Sequence, residues 1–348
     1  MANLKRPLTN STSNLPLIRL SSINPFLLEL SRRRANARDL LRDMNLPDDV
    51  PASGELFVSA LAIYEFVERS ADAANDPYFG YQIGQALELH EWEPITRAVE
   101  EAQTVGELLN RFIVYSHDHT SSTHFFLTTE GDRSTFGFRR VIDPPATPAQ
   151  NDAFYLGFLG RLLMRATRDH WDPALVLFKV ADPDAIPPLP DRLRIVRGDK
   201  HGMQASFPTD WLFNPFEKSA FHAETPNSGL THLPESLTDS LRLALIPHLH
   251  EPDLTVERAA EICGYNKRKL SRKLREKGTT IAKEIAKLRA ERAGKDLAHS
   301  DRRIADIALS LGFKDPTVFS RAFKNWTGQS PQEYRRNHRK SILEGERQ

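Results

Sequence analysis

Two stretches toward the C-terminal end of the chain repeat one another, and this restricts the fold more than any other feature. The first, from Val256, reads VERAAEICGYNKRKLSRKLREKG; the second, from Ile304, reads IADIALSLGFKDPTVFSRAFKNWTG. Ala260 and Gly264 correspond to Ala308 and Gly312 at an offset of 48. Leu270, Arg272 and Leu274 correspond to Phe319, Arg321 and Phe323 at an offset of 49, the second copy having one extra turn residue. The alanines let a first helix lie close to a second, and each glycine falls where a helix ends and the backbone turns left-handed. A polar residue then restarts the helix. In the second copy Asp315 is placed as an N-cap and Pro316 at the first helical position, where its missing N–H is no loss. Each copy is predicted to be helix, tight turn, helix, with Leu270 and Leu274, or Phe319 and Phe323, holding the second helix on the first.

The sides left facing outward are cationic. In the first copy they carry Lys267, Arg268, Lys269, Ser271, Arg272, Lys273 and Arg275; in the second, Lys314, Thr317, Ser320, Arg321 and Lys324. Over the whole chain the formal charge is only +1, but residues 255–340 hold 22 Lys and Arg against 10 Asp and Glu, a net of +12, leaving 25 against 36 elsewhere. An acidic body joined to a basic module points to a polyanionic partner for the module. Ammonium and guanidinium groups neutralise phosphates, and arginine also makes paired hydrogen bonds to a guanine edge. Between the copies, TIAKEIAKLRAERAGKDLA has Ile281, Ile285, Leu288 and Leu297 at helical spacing. Such a helix spans about 30 Å, close to the roughly 34 Å of one DNA turn. Two reading helices on one chain would then enter successive major grooves.

The run from Ile304 to Arg336, with its isoleucine-alanine start, Gly-Phe, Phe-Ser-Arg-Ala-Phe-Lys, Gly-x-Ser-Pro and Tyr-Arg, resembles the second helix-turn-helix signature of AraC/XylS-type transcription regulators. The resemblance implies double-stranded DNA as partner, with Arg268, Ser271 and Arg272 facing bases from the first reading helix. From the second it implies Thr317, Ser320 and Arg321, with Lys324 nearer the backbone. The first copy departs from the pattern in Cys263 before Gly264 and in the basic Lys267-Arg268-Lys269 run, which puts more weight on phosphate contacts. NDPYFGYQIGQALELHEW, QTVGELLNRFIVYSHDH and FPTDWLFNPF are similar to the effector-binding, arabinose-binding-type N-terminal domain of a subgroup of these regulators. That implies a small-molecule effector and leaves its identity and binding residues unknown. The family also favours activation, and allows for contact with RNA polymerase and for a homodimer.

The remaining text fits an α+β domain. Helical periodicity runs through NPFLLELSRRR and GELFVSALAIYEFVERSAD, where Leu56, Ala60, Ile63, Phe66 and Val67 share a stripe. Thr104 and Glu107 match a capping box, two β-rich runs flank a turn at Glu130-Gly131-Asp132-Arg133, and a long apolar helix precedes the strand ALVLFKV. The expected organisation is a disordered 1–14, an effector-binding or oligomerisation domain over 15–223, and a linker over 224–237. An all-α DNA-binding domain of two helix-turn-helix units joined by a linker helix follows over 238–340, then a tail over 341–348.

Other chemistries are weaker. His117, His119 and His124, with His90, match no familiar metal spacing, and no metal or cofactor is expected. Asp48-Asp49 reads as a loop pair, and the two glycines of GYQIGQALE lack phosphate-loop spacing. No catalytic constellation is legible. A catalytic N-terminal domain stays open as an alternative, with Cys263 its one thiol candidate, as does a domain used only for dimerisation. The single cysteine fits a reducing compartment. No secretory h-region or membrane-spanning run is read, so a cytoplasmic location with no membrane contact is the expectation.

Overall fold

A computed structural model describes residues 15–44, 46–47, 56–87, 93–189, 193–215, 234 and 236–345. Asp48, Asp49 and His90 lie outside them, as do residues 1–14 and most of 224–237. The N-terminal part is α+β, as expected, its strands pairing mostly antiparallel. Strand β1 (Leu17–Arg19) pairs antiparallel with β2 (Phe57–Ser59), Leu17 opposite Ser59, and between them lie α1 (Asn24–Arg32) and α2 (Ala37–Asp43). Helix α3 (Ala60–Ala74) follows β2 directly. The segment read as one helix from Leu56 thus begins as a strand. Phe57 and Val58 are both buried, on opposite faces, which extended backbone permits and one helical stripe does not. From Ala60 onward the stripe is as expected, with Ile63, Phe66 and Val67 in the core.

Helices α4 (Phe79–Ala86), α5 (Glu93–Glu101) and α6 (Val105–Ser116) lead into β3 (Thr123–Glu130) and β4 (Arg133–Arg140), which form the hairpin expected around Gly131. Thr104 accepts from Glu107 N at 3.2 Å, while the Glu107 carboxylate accepts from Gln103 N at 2.7 Å. After α7 (Ala149–Thr167) come β5 (Leu177–Val180), β6 (Arg194–Arg197) and β7 (Gln204–Pro208). The five-stranded sheet has the order β3-β4-β7-β5-β6, antiparallel except for the β5–β6 pair. The glycines of GYQIGQALE serve packing. A Cβ on Gly84 would lie 2.1 Å from Phe154 O, and one on Gly157 of α7 2.5 Å from Tyr81 O, so α4 and α7 meet backbone to backbone.

One polar cluster is sealed into this core. Arg140 pairs with Asp152, both side chains fully buried, and Asp152 also accepts from Ala181 N at 2.8 Å. Beside it Glu68 of α3 accepts from Gln150 N at 3.0 Å and Asn151 N at 3.2 Å, capping the start of α7 with a carboxylate. Burial raises the Glu68 pKa to about 7 against the pull of those two amides.

The C-terminal part is all helix: α8 (Leu237–Leu245), α9 (Val256–Ile262), α10 (Lys267–Glu276), α11 (Ile281–His299), α12 (Ile304–Ser310), α13 (Pro316–Thr327) and α14 (Pro331–Gly345). Its first hydrophobic core is completed from the other end of the chain. Leu15, Leu17 and Phe57 pack with Leu237, Leu241, Leu245 and the apolar residues of α9, α10 and α11, whereas Val58 belongs to the core of the N-terminal part. The β1–β2 ribbon therefore has one face in each core. Among the described residues, no helix is long and apolar enough to cross a membrane.

Candidate nucleic-acid interface

Both repeats are helix-turn-helix units. In the first, α9 starts on the Thr255 hydroxyl, which accepts from Arg258 N at 3.1 Å, and ends at Cys263. Gly264 takes φ +67°, and Asn266 opens α10 by accepting from Arg268 N at 2.8 Å. In the second, α12 ends before Gly312 at φ +77°, and Asp315 caps α13 by accepting from Thr317 N at 2.7 Å, with Pro316 at the first position. Leu270, Leu274, Phe319 and Phe323 are fully buried, and the Phe319 and Phe323 ring centroids lie 5.8 Å apart. With the buried face fixed, the rotation of α10 and α13 about their axes is set, and so is what they present to solvent.

On α10 the exposed cations are Lys267, Arg268, Lys269, Arg272 and Arg275. Lys267 pairs with Glu257, and Lys269 lies over the Tyr265 ring at 5.4 Å. Arg268, Arg272 and Arg275 form a row at i, i+4, i+7 with no carboxylate within ion-pair distance among the described residues. Ser271 and Lys273 sit at the half-buried edge. On α13 Thr317, Arg321 and Lys324 are exposed, and Lys314 stands just before the cap. Ser320 is placed differently from the others. It is half-buried, and its hydroxyl donates to Pro316 O at 2.8 Å, so its proton is already used within the helix.

Two residues on the outer face of α13 were not singled out by sequence. Val318 is 52 % exposed, a β-branched apolar side chain beside Thr317 and one turn from Arg321 and Ala322; Asn325, seven residues on from Val318, is also exposed. Neither is cationic or part of the apolar stripe that the two repeats share. An apolar residue left on the solvent face of a polar helix was the available signal.

Cys263 is buried at the end of α9, and burial drives its thiol pKa upward. His117 ends α6 with Nδ1 2.8 Å from Ile113 O, and His119 is held neutral, its pKa lowered to about 3 by burial and by Arg19 and Arg97. His124 lies on β3. Among the described residues, no three His, Cys, Asp or Glu side chains group as a metal site.

Residues 259–337 match the family model described as a helix-turn-helix domain, and residues 35–189 match that of the arabinose-binding domain of AraC transcription regulators, N-terminal. A curated relative, the transcriptional activator NphR of Rhodococcus sp, is 33 % identical over 107 residues, 31 % of this chain and 32 % of that protein. An uncharacterized HTH-type transcriptional regulator of Staphylococcus aureus (strain MSSA476) is 38 % identical over 89 residues, 25 % of this chain and 12 % of that protein. The chain thus spans between an eighth and a third of the length of these relatives. The crystal structure of transcriptional regulator CdpR from Pseudomonas aeruginosa aligns over 91 % of this chain and 98 % of that one, at 17 % identity and a TM-score of 0.36.

Proposed function

We propose that the chain is an AraC-type helix-turn-helix regulator with an arabinose-binding-type N-terminal domain, a sequence-specific reader of double-stranded DNA controlled by a small molecule. The observation that carries this reading is the pair of solvent-facing cation rows, Arg268, Arg272 and Arg275 on α10 and Arg321 and Lys324 on α13, on helices locked by their opposite faces. Helix α11 has 19 residues, about 28 Å, so α10 and α13 suit successive major grooves on one face of a duplex. Arg268, Ser271 and Arg272, and Thr317, Val318, Arg321 and Asn325, are the groups for base edges. Lys267, Lys273 and Lys324 neutralise phosphates, with Lys267 leaving Glu257 to do so. Val318 suits the 5-methyl of a thymine.

Control resides in residues 15–223, and the DNA-reading domain in 238–340. A ligand that repacks the N-terminal core moves Val58 and with it the ribbon whose other face, Leu17 and Phe57, completes the core under α9 and α10. Leu61 extends the same connection: a Cβ on Gly264 would come within 2.8 Å of its Cδ1, so the N-terminal part touches the turn of the first unit. The ligand acts to the extent that it binds the two packings unequally. Activation is the preferred outcome, in line with the name of NphR, by contact with RNA polymerase, in the cytoplasm and as a homodimer. The buried state of Cys263 supports a non-catalytic protein.

Selection of duplexes from a random-sequence pool by the full chain tests the reading. Enrichment of two half-sites about one helical turn apart is expected. A pool that returns no preferred sequence contradicts it.

A further inference from the structure

The two helix-turn-helix units have separate hydrophobic cores. That of the first takes Ile281, Ile285 and Leu288 from α11; that of the second takes Ala293 and Leu297. Apolar packing therefore fixes each unit on its own half of the connecting helix, so a bend of that helix between Leu288 and Ala293 changes the angle between them. Away from that helix the units meet at Gly312. A Cβ there would lie 2.4 Å from Glu251 O and 3.0 Å from Arg289 Nη2, so the turn of the second unit rests directly on the backbone leading into the first.

Arg289, midway along α11, spans this joint. Its Nη2 donates to Glu251 O at 3.2 Å, and its guanidinium carbon lies 5.2 Å from the centre of the Phe313 ring. Each of these contacts is anchored in a different unit. The Glu251 carboxylate accepts from Arg258 Nε of α9 at 3.2 Å and from His248 Nδ1 at 2.6 Å, which ties the gripped carbonyl to the first unit. Phe313 lies edge-on to Phe319 at 5.4 Å and against Trp326 at 5.9 Å, which ties the ring to α13. Arg289 is half-buried, has no carboxylate within ion-pair distance among the described residues, and its Nε is buried there without a hydrogen-bond partner. It is thus neither a surface ion pair nor a cation extended toward solvent for a phosphate.

We propose that Arg289 is a positioning residue that braces the two helix-turn-helix units at the angle at which both recognition helices engage one duplex. The proposal rests on the DNA-reading function above. Arg289 touches a segment of each unit, so a small rotation at Gly312 changes the separation of the outer faces of α10 and α13, and two linked contacts made at the wrong separation forfeit the gain from being linked.

The test uses the full chain and the duplex it selects. Variants of that duplex have one base pair added or removed between the half-sites, or one half-site scrambled. Wild-type protein is expected to lose roughly tenfold or more in affinity when the spacing changes. Arg289→Ala is expected to bind the three spacings within about threefold of one another while its affinity for the single half-site stays at the wild-type value. Arg289→Lys, which keeps a donor for Glu251 O and a cation over Phe313, restores the spacing preference, and Arg289→Gln stands in for the alanine variant if that does not fold. Arg289→Ala that keeps the wild-type preference, or loses affinity equally for every duplex including the half-site, overturns the brace alone. Wild-type protein that binds all spacings alike overturns the two-groove reading and the brace with it.

Discussion

Phe57 and Val58, adjacent on one strand, are buried in different hydrophobic cores. Phe57 packs with Leu237, Leu241 and the helices of the first helix-turn-helix unit; Val58 packs within the N-terminal domain. The alternation of a strand, which ordinarily separates core from solvent, here separates one domain's interior from the other's. Phe57→Ala should cost about 3–5 kcal/mol of the C-terminal domain's stability, though the residue is far from that domain in sequence. Calorimetry is expected to show the C-terminal transition moving down and separating from the N-terminal one. A Phe57→Ala protein whose two domains still unfold together near the wild-type temperature contradicts the shared ribbon.

Glu68 predicts a pH dependence in the opposite sense to most carboxylates. Burial raises its pKa in the folded chain to about 7, above the unfolded value near 4.5. The protonated form therefore favours folding: the stabilisation is fully present below pH ~4.5 and is lost as pH rises through ~7, a change of roughly 3 kcal/mol. Its neighbours Asp152 and Arg140 act on it with opposite signs, so burial sets the direction. Glu68→Gln keeps an acceptor for the α7 amides and cannot ionise. Denaturant titrations at pH 5 and pH 8 should show it gaining on wild type as pH rises; an equal difference at both pH values contradicts the assignment.

Val318 predicts a base contact that carries no charge. If its methyls meet a thymine 5-methyl, replacing the contacted thymine by uracil should cost about 1 kcal/mol, close to the value of one buried methyl group. In Val318→Ser the same replacement should have little effect. Titrations with single-uracil duplexes measure both, and no uracil position that distinguishes the two proteins removes Val318 from the base-reading face.

Much of the reading unit is legible without coordinates because its constraints are local. A left-handed glycine, a capping aspartate and two buried phenylalanines one turn apart name the elements and fix which face of α13 is free. Ser320 shows where this stops: the face is set by periodicity, but the hydroxyl's choice of Pro316 O depends on its rotamer. Strands β1, β6 and β7 are three to five residues long, and too short for a period to be read from them. The ribbon's double allegiance is a long-range fact, set by Leu15 and Leu17 meeting Leu237 and Leu241 across more than two hundred residues. The brace at Arg289 was hidden for the same reason: in sequence it is one more cation on a charged helix.

Whether the C-terminal domain reads DNA sequence is tested most directly by the ratio of affinities for the selected duplex and a scrambled one, in wild type, Arg321→Ala and Lys324→Ala. Arg321→Ala is predicted to lose about 1–3 kcal/mol on the selected duplex alone, and Lys324→Ala to weaken both alike and to lower the salt dependence by about one counterion. A specific-to-nonspecific ratio that Arg321→Ala leaves unchanged would contradict it.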